Sequence, residues 1–332
     1  MEQYCLDIPS DKVPLLSKGL LYGEKNPLHN QHFVYYKEMT PRQENILFSS
    51  AYVKDKTVIK HLIHSCLINK EIDVDELLIG DKDALLIAIR ISGYGSLYSA
   101  NITCPECSTV NEHECNLSQL EISRLKINPV REYENLFEVV LPLSKWNIGF
   151  KFLTSKDERE LELIGNSDAV NTEWLCKCVV SINGKIGDAA SVKKAISSLR
   201  AKDSSFLKNY IKENEPKVKM ASYFKCKACE HEETFPLPRN YDFFGISIAD
   251  KEALFLEPMF LLGYYFGFSY GDYLHFPLSS RKWLVKRIEK EIKDSQNQND
   301  VKAKGAHLNS PDTRALTNRS RTTVPAKLQR FT

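Results

Sequence analysis

Apolar residues recur at helical spacing over most of this chain, and true strand alternation is confined to a few short runs. The cleanest helical start lies at Thr40, a good N-cap, with Pro41 at the first helical position and Gln43 placed to close a capping box; Ile46, Leu47 and Ala51 supply apolar positions. A second helix is predicted from about Thr57 to Ile68, with Val58, Leu62 and Cys66 at i, i+4 and i+8, so that Cys66 reads as a buried thiol. Asp73 with Glu76 forms a capping pair for a short helix, and Asp81 reads as the cap of a longer one that runs through Ile91 and stops at Gly93. Leu85, Leu86, Ile87, Ile89 and Ile91 make that longer helix apolar nearly all round, hence buried. Arg90 inside it then needs a carboxylate partner or a route to solvent. Upstream, residues 9 to 36 carry Pro9, Pro14, Gly19, Gly23 and Pro27 and read as an irregular arm with short strands at Leu20–Tyr22 and His32–Tyr36.

Further along, Leu117 to Ile127 reads as a short helix. Phe137–Pro142 and Trp146–Leu153 read as two strands of a hairpin, the second with clear alternation. Helices are predicted at Lys156–Ile164, capped by Thr154 or Ser155, at Thr172 to about Ile182, at Ala189–Arg200 and at Asp203–Lys212. Cys176 and Cys178 lie two apart on the helix from Thr172 to about Ile182 and face different sides of it, which makes them poor joint ligands. After Pro236-Leu-Pro238 the chain turns aromatic. Ala249 to Phe268 includes Phe255, Phe260, Leu261, Leu262, Tyr264, Tyr265 and Phe266, and must be covered by the chain's own core or by a partner. Tyr270–Phe276 reads as an aromatic turn, and Ser279 or Ser280 as the cap of a final helix, Arg281–Lys293. Residues 294–332 are polar and carry Arg314, Arg319, Arg321, Lys327 and Arg330, the pattern of a disordered basic tail.

The 332 residues are 42% hydrophobic and 27% charged, an ordinary globular composition that allows one to three domains. A net charge of +2 is too small to imply a polyanionic partner for the whole chain. The start, Met1-Glu-Gln-Tyr-Cys-Leu-Asp7, has no targeting character, and the apolar run Ala253–Phe268 contains Glu257 and Pro258 and is too short for a good membrane span. A reducing cytoplasm is the expected compartment.

Chemistry concentrates in two cysteine pairs, Cys104-Pro-Glu-Cys107 and Cys226-Lys-Ala-Cys229. Each sits between strand-like runs: Ser99–Thr103 and Ser108–Glu114 for the first, Ala221–Lys225 and Glu230–Phe235 for the second. A hairpin tipped by C-x-x-C points two sulfurs at one spot. Two such tips facing each other offer four thiolates, the closed tetrahedral set of a structural Zn²⁺ site. His113, Cys115 and His231 rank as substitute ligands well below the four cysteines. A redox pair would want to open a helix in a thioredoxin-like unit, which neither flank does. Disulfides suit neither the compartment nor an odd count of nine cysteines. A four-sulfur site leaves no open coordination position, so it predicts folding and not catalysis, and argues against a metallohydrolase. No nucleophile–base–acid set, phosphate-binding glycine loop or H-E-x-x-H occurs, and the acidic cluster at 71–83 lacks the ligand pattern of a calcium loop.

The order Val13–Tyr22, Met39–Leu47, Ile72–Arg90, Tyr94-Gly95 and Cys104–Cys107 resembles the baseplate hub assembly protein family of T-even-like contractile-tailed bacteriophages. The likeness runs from about residue 13 to about 240 and includes the second cysteine pair. Its most specific part is Glu76-Leu-Leu-Ile-Gly-Asp81, although the family pattern has Asp where this chain has Glu76. Phe268 to Trp283 resembles, over a shorter stretch, a C-terminal module of small phage tail and baseplate assembly proteins. The resemblance implies a non-enzymatic viral assembly protein that binds other baseplate hub proteins, as a transient factor or a minor hub component. It implies work in the cytoplasm of the infected host cell during assembly, and a place in the virion tail baseplate only if the chain is retained as a hub component. It carries no catalytic residues. Self-association is open, and no small-molecule substrate is implied.

The expected fold is α+β. A mainly helical body carries a four-cysteine zinc-ribbon-like pair of hairpins, with an inserted α/β segment between the cysteine pairs and a C-terminal helical hairpin. The segments are 1–115, an arm and helices leading to the first hairpin; 116–219, the insertion; 220–240, the second hairpin; 241–293, the aromatic helical hairpin; and 294–332, the tail. The alternative function is a zinc-ribbon nucleic-acid-binding module, but Glu106, Glu112, Glu114, Glu230, Glu232 and Glu233 flank the knuckles where such modules place Arg, Lys and aromatics, and Lys225 and Lys227 do not outweigh them.

Overall fold

The helix Ile79–Tyr94 organises the first part of the chain, and the reason is its apolar circumference: Leu85, Leu86 and Ile89 are fully buried. The computed structural model describes residues 10–164 and 169–305. The chain divides after Arg281 into two units. In the first, helices Pro41–Leu47, Val58–Cys66, Ser155–Ile164, Ala169–Cys178, Ala189–Ser197 and Ala201–Asn214 accompany five small sheets. All strand pairs in these sheets are antiparallel. Ser10–Pro14 pairs with Phe33–Lys37, Leu97–Thr103 with Val110–Asn116, Ile122–Ser123 with Lys217–Val218, and Ala221–Lys225 with Glu232–Pro236. The fifth sheet runs Phe137–Val140, Asn147–Phe150, Val179–Ile182, Lys185–Ile186. Its Phe137 and Phe150 stack beside Phe152 and join the helical core through Leu153, Leu207 and Ile211. The second unit is described as the continuation of helix Leu278–Gly305, with an Arg287–Glu291 ion pair one turn apart.

Several predicted elements take a different form. Leu117 starts only a 3₁₀ turn, Leu117–Gln119, and the chain then extends into Ile122–Ser123, whose partner strand lies beyond position 215 and leaves no local trace. The helix predicted to reach Ile182 ends at Cys178; Val179–Ile182, β-branched and apolar, completes the sheet instead. Tyr270–His275 is a short helix with a Ser269/Asp272 capping box, not a turn. The final helix passes the expected boundary at 294 and continues to Gly305; residues 306–332, where the rest of the predicted tail falls, lie outside the described residues.

Asp81 does not cap its helix. Its carboxylate accepts from the backbone amides of Leu16 and Ser17 (2.6 and 3.1 Å), the Ser17 hydroxyl (2.6 Å) and the Tyr22 hydroxyl (2.8 Å), and so straps the N-terminal arm to the helix. Tyr22 in turn accepts from the Leu78 amide at 3.1 Å. Next to it, Gly80 lies against the chain at Pro216, where a Cβ would sit 1.9 Å from the carbonyl oxygen, so no other residue fits without moving backbone. Leu77 and Ile79 bond to Ser155 and Leu153. The block Leu77–Asp81 is thus a junction of four segments. Arg90 finds neither carboxylate nor solvent: Nε donates to the Phe243 carbonyl (3.1 Å), Nη1 to the Gly95 carbonyl (2.9 Å), and the guanidinium lies over the rings of Tyr98 and Phe243.

Asp73 caps its 3₁₀ turn through the Asp75 amide. Asp75 itself receives Arg159 at 2.5 and 3.1 Å and Lys60 at 2.5 Å, which ties the turn to two helices. Hydrogen bonding from Arg159, with Lys60 adding and burial opposing, holds the Asp75 carboxyl down to about 2. An unfolded aspartate titrates at about 3.9, so the stabilisation is complete above about pH 4 and is lost as pH falls through about 2. Urea midpoints measured at about pH 5 and about pH 2 should therefore fall further for the parent than for Asp75→Asn; equal falls would show that the trio contributes nothing.

Candidate metal centre

The two C-x-x-C segments form knuckles of the same construction. Leu97–Thr103 and Val110–Asn116 pair in register from Leu97↔Asn116 to Thr103↔Val110, which brings Cys104 and Cys107 to the hairpin tip. Ala221–Lys225 and Glu232–Pro236 do the same for Cys226 and Cys229. In the first tip the Ser108 amide donates to the Cys104 carbonyl (2.9 Å) and the Cys104 amide to the Thr109 carbonyl (3.0 Å). In the second, the Glu230 amide donates to the Cys226 carbonyl (3.1 Å) and the Cys226 amide to the His231 carbonyl (2.8 Å). The residue after the second cysteine has a left-handed backbone in both, φ 56° at Ser108 and 59° at Glu230, a conformation that glycine adopts at lower cost.

The tips meet because the hairpins pack face to face. Ile102, Cys104, Phe224 and Cys226 are buried together as a small core of their own, with Phe235 against it. On strand Val110–Asn116 the alternate residues Asn111, His113 and Cys115 turn from solvent. His113 lies edge-on to Phe224, and its Nε2 is 2.9 Å from the Ser222 hydroxyl across the hairpins.

One ligand atom from each of Cys104, Cys107, Cys226 and Cys229 lies within 4.8 Å of all the others. Cys104 and Cys229 sulfurs are 3.6 Å apart, as are those of Cys107 and Cys226. All four are free thiols, not disulfides. Two of them are buried and two face outward. The Cys229 and Ala228 amides hold the Cys226 thiol down to about 6. The Cys229 thiol is lowered by the His231 amide, yet the sulfurs of Cys107, Cys104 and Cys226 push it up to about 12. Four thiolates cannot crowd together unless a cation neutralises them, and the group can hold a metal ion. The substitute ligands lie outside it: His113 faces Ser222, Cys115 is buried further down its strand, and His231 Nε2 is 3.9 Å from Glu233. Asn111, which sequence reasoning passed over, bonds into both knuckles; a polar residue at an inward position of an alternating strand was its signal.

Elsewhere, a cleft of about 700 Å³ is walled by Lys60, Lys82, Glu158, Arg159 and Arg239. Its cations are engaged with acids: Lys60 and Arg159 with Asp75, Lys82 with Glu158, and Arg239 with Asp83 at 2.9 Å. These pairs hold elements together.

The family model for the T4 bacteriophage base plate protein matches residues 24–245, well over half of the chain and including both hairpins. The chain belongs to the T4 bacteriophage base plate protein family. No curated protein and no solved structure matches it. Membership in this base plate family implies a structural role at the phage tail base plate, in assembly with other base plate proteins. The family match covers Asp81 but not its arm partners Leu16, Ser17 and Tyr22, covers the sulfur group and the insertion, and stops at Gly245, before the aromatic helices. Among the described residues no helix is long and apolar enough to cross a membrane.

Proposed function

We propose that this base plate protein is a non-enzymatic assembly protein of the central hub, which binds hub subunits in the cytoplasm of the infected cell. The observation that carries the reading is the family match over residues 24–245. We propose further that Cys104, Cys107, Cys226 and Cys229 hold a structural Zn²⁺. Tetrahedral zinc with bonds of about 2.3 Å to sulfur sets its ligands about 3.8 Å apart, and the two 3.6 Å separations suit that spacing. A full set of four sulfurs supplies folding energy and leaves zinc no position for substrate.

The surface beyond the match supports a binding role. Helix Glu257–Phe266 buries Leu261 and Leu262 but exposes Phe260, Tyr264, Tyr265 and Phe266, more aromatic area than an isolated chain gains from showing to water. Glu106, Glu112, Glu114, Glu230, Glu232 and Glu233 are exposed around the knuckles, which favours a protein partner over nucleic acid. Infection by a phage that lacks the chain should leave hub subunits unassembled and yield no complete base plates. Normal base plates from such an infection would refute the assembly role, and salt-sensitive binding of DNA or RNA by the purified chain would favour the nucleic-acid reading in its place. Whether antibody finds the chain in purified virions separates a hub component from a transient factor.

A further inference from the structure

Asn111 is a buried amide in a region otherwise filled by Ile102, Phe224 and cysteine sulfur, and its bonding capacity is directed at the metal centre. Its Oδ1 accepts from the Lys227 amide at 2.9 Å. Its Nδ2 donates to the Thr109 carbonyl at 3.0 Å and lies 3.5 Å from the Cys226 sulfur. One side chain on the first hairpin therefore fixes the backbone of the second knuckle and points an N–H at one of its sulfurs. The Ala228 amide reaches the same sulfur from within the knuckle at 3.4 Å. Cys226 is 115 positions from Asn111 in sequence, so the contact is made only when the two hairpins dock.

We infer that Asn111 is a positioning residue for the metal, aligning Cys226 with the sulfurs of the other knuckle and stabilising its thiolate; the inference rests on the four-cysteine zinc reading above. A thiolate that accepts such a hydrogen bond is held in one rotamer facing the metal, and loss of such outer partners typically weakens metal binding ~10–100-fold. The chemistry separates this role from a simple structural bridge. Aspartate at 111 has the same shape and keeps the acceptor for the Lys227 amide, but it puts a negative oxygen in place of the NH₂ that faces both Cys226 and the Thr109 carbonyl. Loss of the Thr109 bond alone would lower stability without moving a sulfur-to-metal charge-transfer band, whereas loss of the N–H toward Cys226 moves the band as well.

The test uses the full chain, with Zn²⁺ affinity read by competition against a chromophoric chelator and Co²⁺ substituted as a spectroscopic probe. Asn111→Asp and Asn111→Leu should each bind Zn²⁺ ~10–100-fold more weakly than the parent, and the Co²⁺–thiolate charge-transfer band should shift in both. A parent that binds tightly alongside an Asn111→Asp chain with affinity within about twofold and an unmoved Co²⁺ band would overturn the inference while leaving the zinc reading in place. If Asn111→Leu does not fold, the Asp variant decides alone, since it preserves volume. A parent that takes up neither Zn²⁺ nor Co²⁺ would remove the zinc reading, and this inference with it.

Discussion

Replacing Cys104 and Cys226 by serine together is expected to give a chain that purifies without metal and has lost on the order of 4–5 kcal/mol of folding stability. The estimate follows from what the metal would close. Cys107 and Cys226 are 119 positions apart, and a cross-link over a loop of about that length removes on the order of 4–5 kcal/mol of chain entropy from the unfolded state. Structural zinc in small peptides contributes more, about 10–16 kcal/mol, because it organises the whole fold there. Here the hairpins keep a small core of their own, Ile102 and Phe224 with Phe235 beside them, so the loop-closure figure is the better guide. Even that is a large share of the roughly 5–15 kcal/mol that holds a typical protein folded. Elemental analysis and urea unfolding test it. The parent should carry about one zinc per chain and the double variant none, with a much lower midpoint. Cys176→Ser, outside the sulfur group and only partly buried, should keep the metal. A double variant that retains zinc, or unfolds with the parent, would break the link between the four cysteines and stability.

The cysteine pairs could be read from sequence because both signals are short-range: C-x-x-C fixes a hairpin tip, and strand alternation on either side fixes the hairpin. What the sequence lacked was the reason the tips meet. That lies in Ile102 and Phe224 packing together and in Asn111 reaching Lys227, contacts between residues more than a hundred positions apart. The same division explains the body. The Thr40–Gln43 box and the Asp73 cap are local and were legible. Asp81 has the right residue type for a cap, but the helix begins two residues earlier at Ile79, and its carboxylate accepts from four buried donors on Leu16, Ser17 and Tyr22, none of them within its own helix. Arg90 inside an apolar helix needs a partner, and its partners are two carbonyls and two rings, which no charge pattern announces. Val179–Ile182 failed as a helix prediction because its strand partners, Asn147–Phe150 and Lys185–Ile186, outweigh the helical run before it.

Arg281→Met is expected to cost about 3–5 kcal/mol, through the charge it strands and not through the volume it removes. Glu44 is wholly buried on helix Pro41–Leu47, and Arg281 is almost so. Two guanidinium nitrogens meet the two carboxylate oxygens at 2.5 and 2.9 Å, a bidentate pair. Tyr94, from the long helix, donates to Glu44 at 2.9 Å. Arg281 also donates to the Tyr273 hydroxyl at 3.0 Å, and Tyr273 donates onward to the Phe255 carbonyl at 2.7 Å. Burial alone would lower the Arg281 pKa, yet Glu44 and Tyr273 raise it, so Arg281 stays charged at any working pH. The network ties the aromatic segment from Phe255 to Tyr273 to helix Pro41–Leu47, beside the edge-on contact of Phe48 with Phe255. Met fills most of the space of Arg281 but leaves the Glu44 carboxyl group buried without its cationic partner, with the Tyr94 hydroxyl donating to it. Adding Glu44→Gln removes the stranded charge, so the double variant should recover a large part of the loss and be much more stable than the sum of the two single changes implies. Urea unfolding of the four chains closes the cycle. Additive losses would mean that the two residues act separately, and that other contacts, such as the Leu278 amide on the Met39 carbonyl at 2.9 Å and Phe48 edge-on to Phe255, hold the aromatic helices in place.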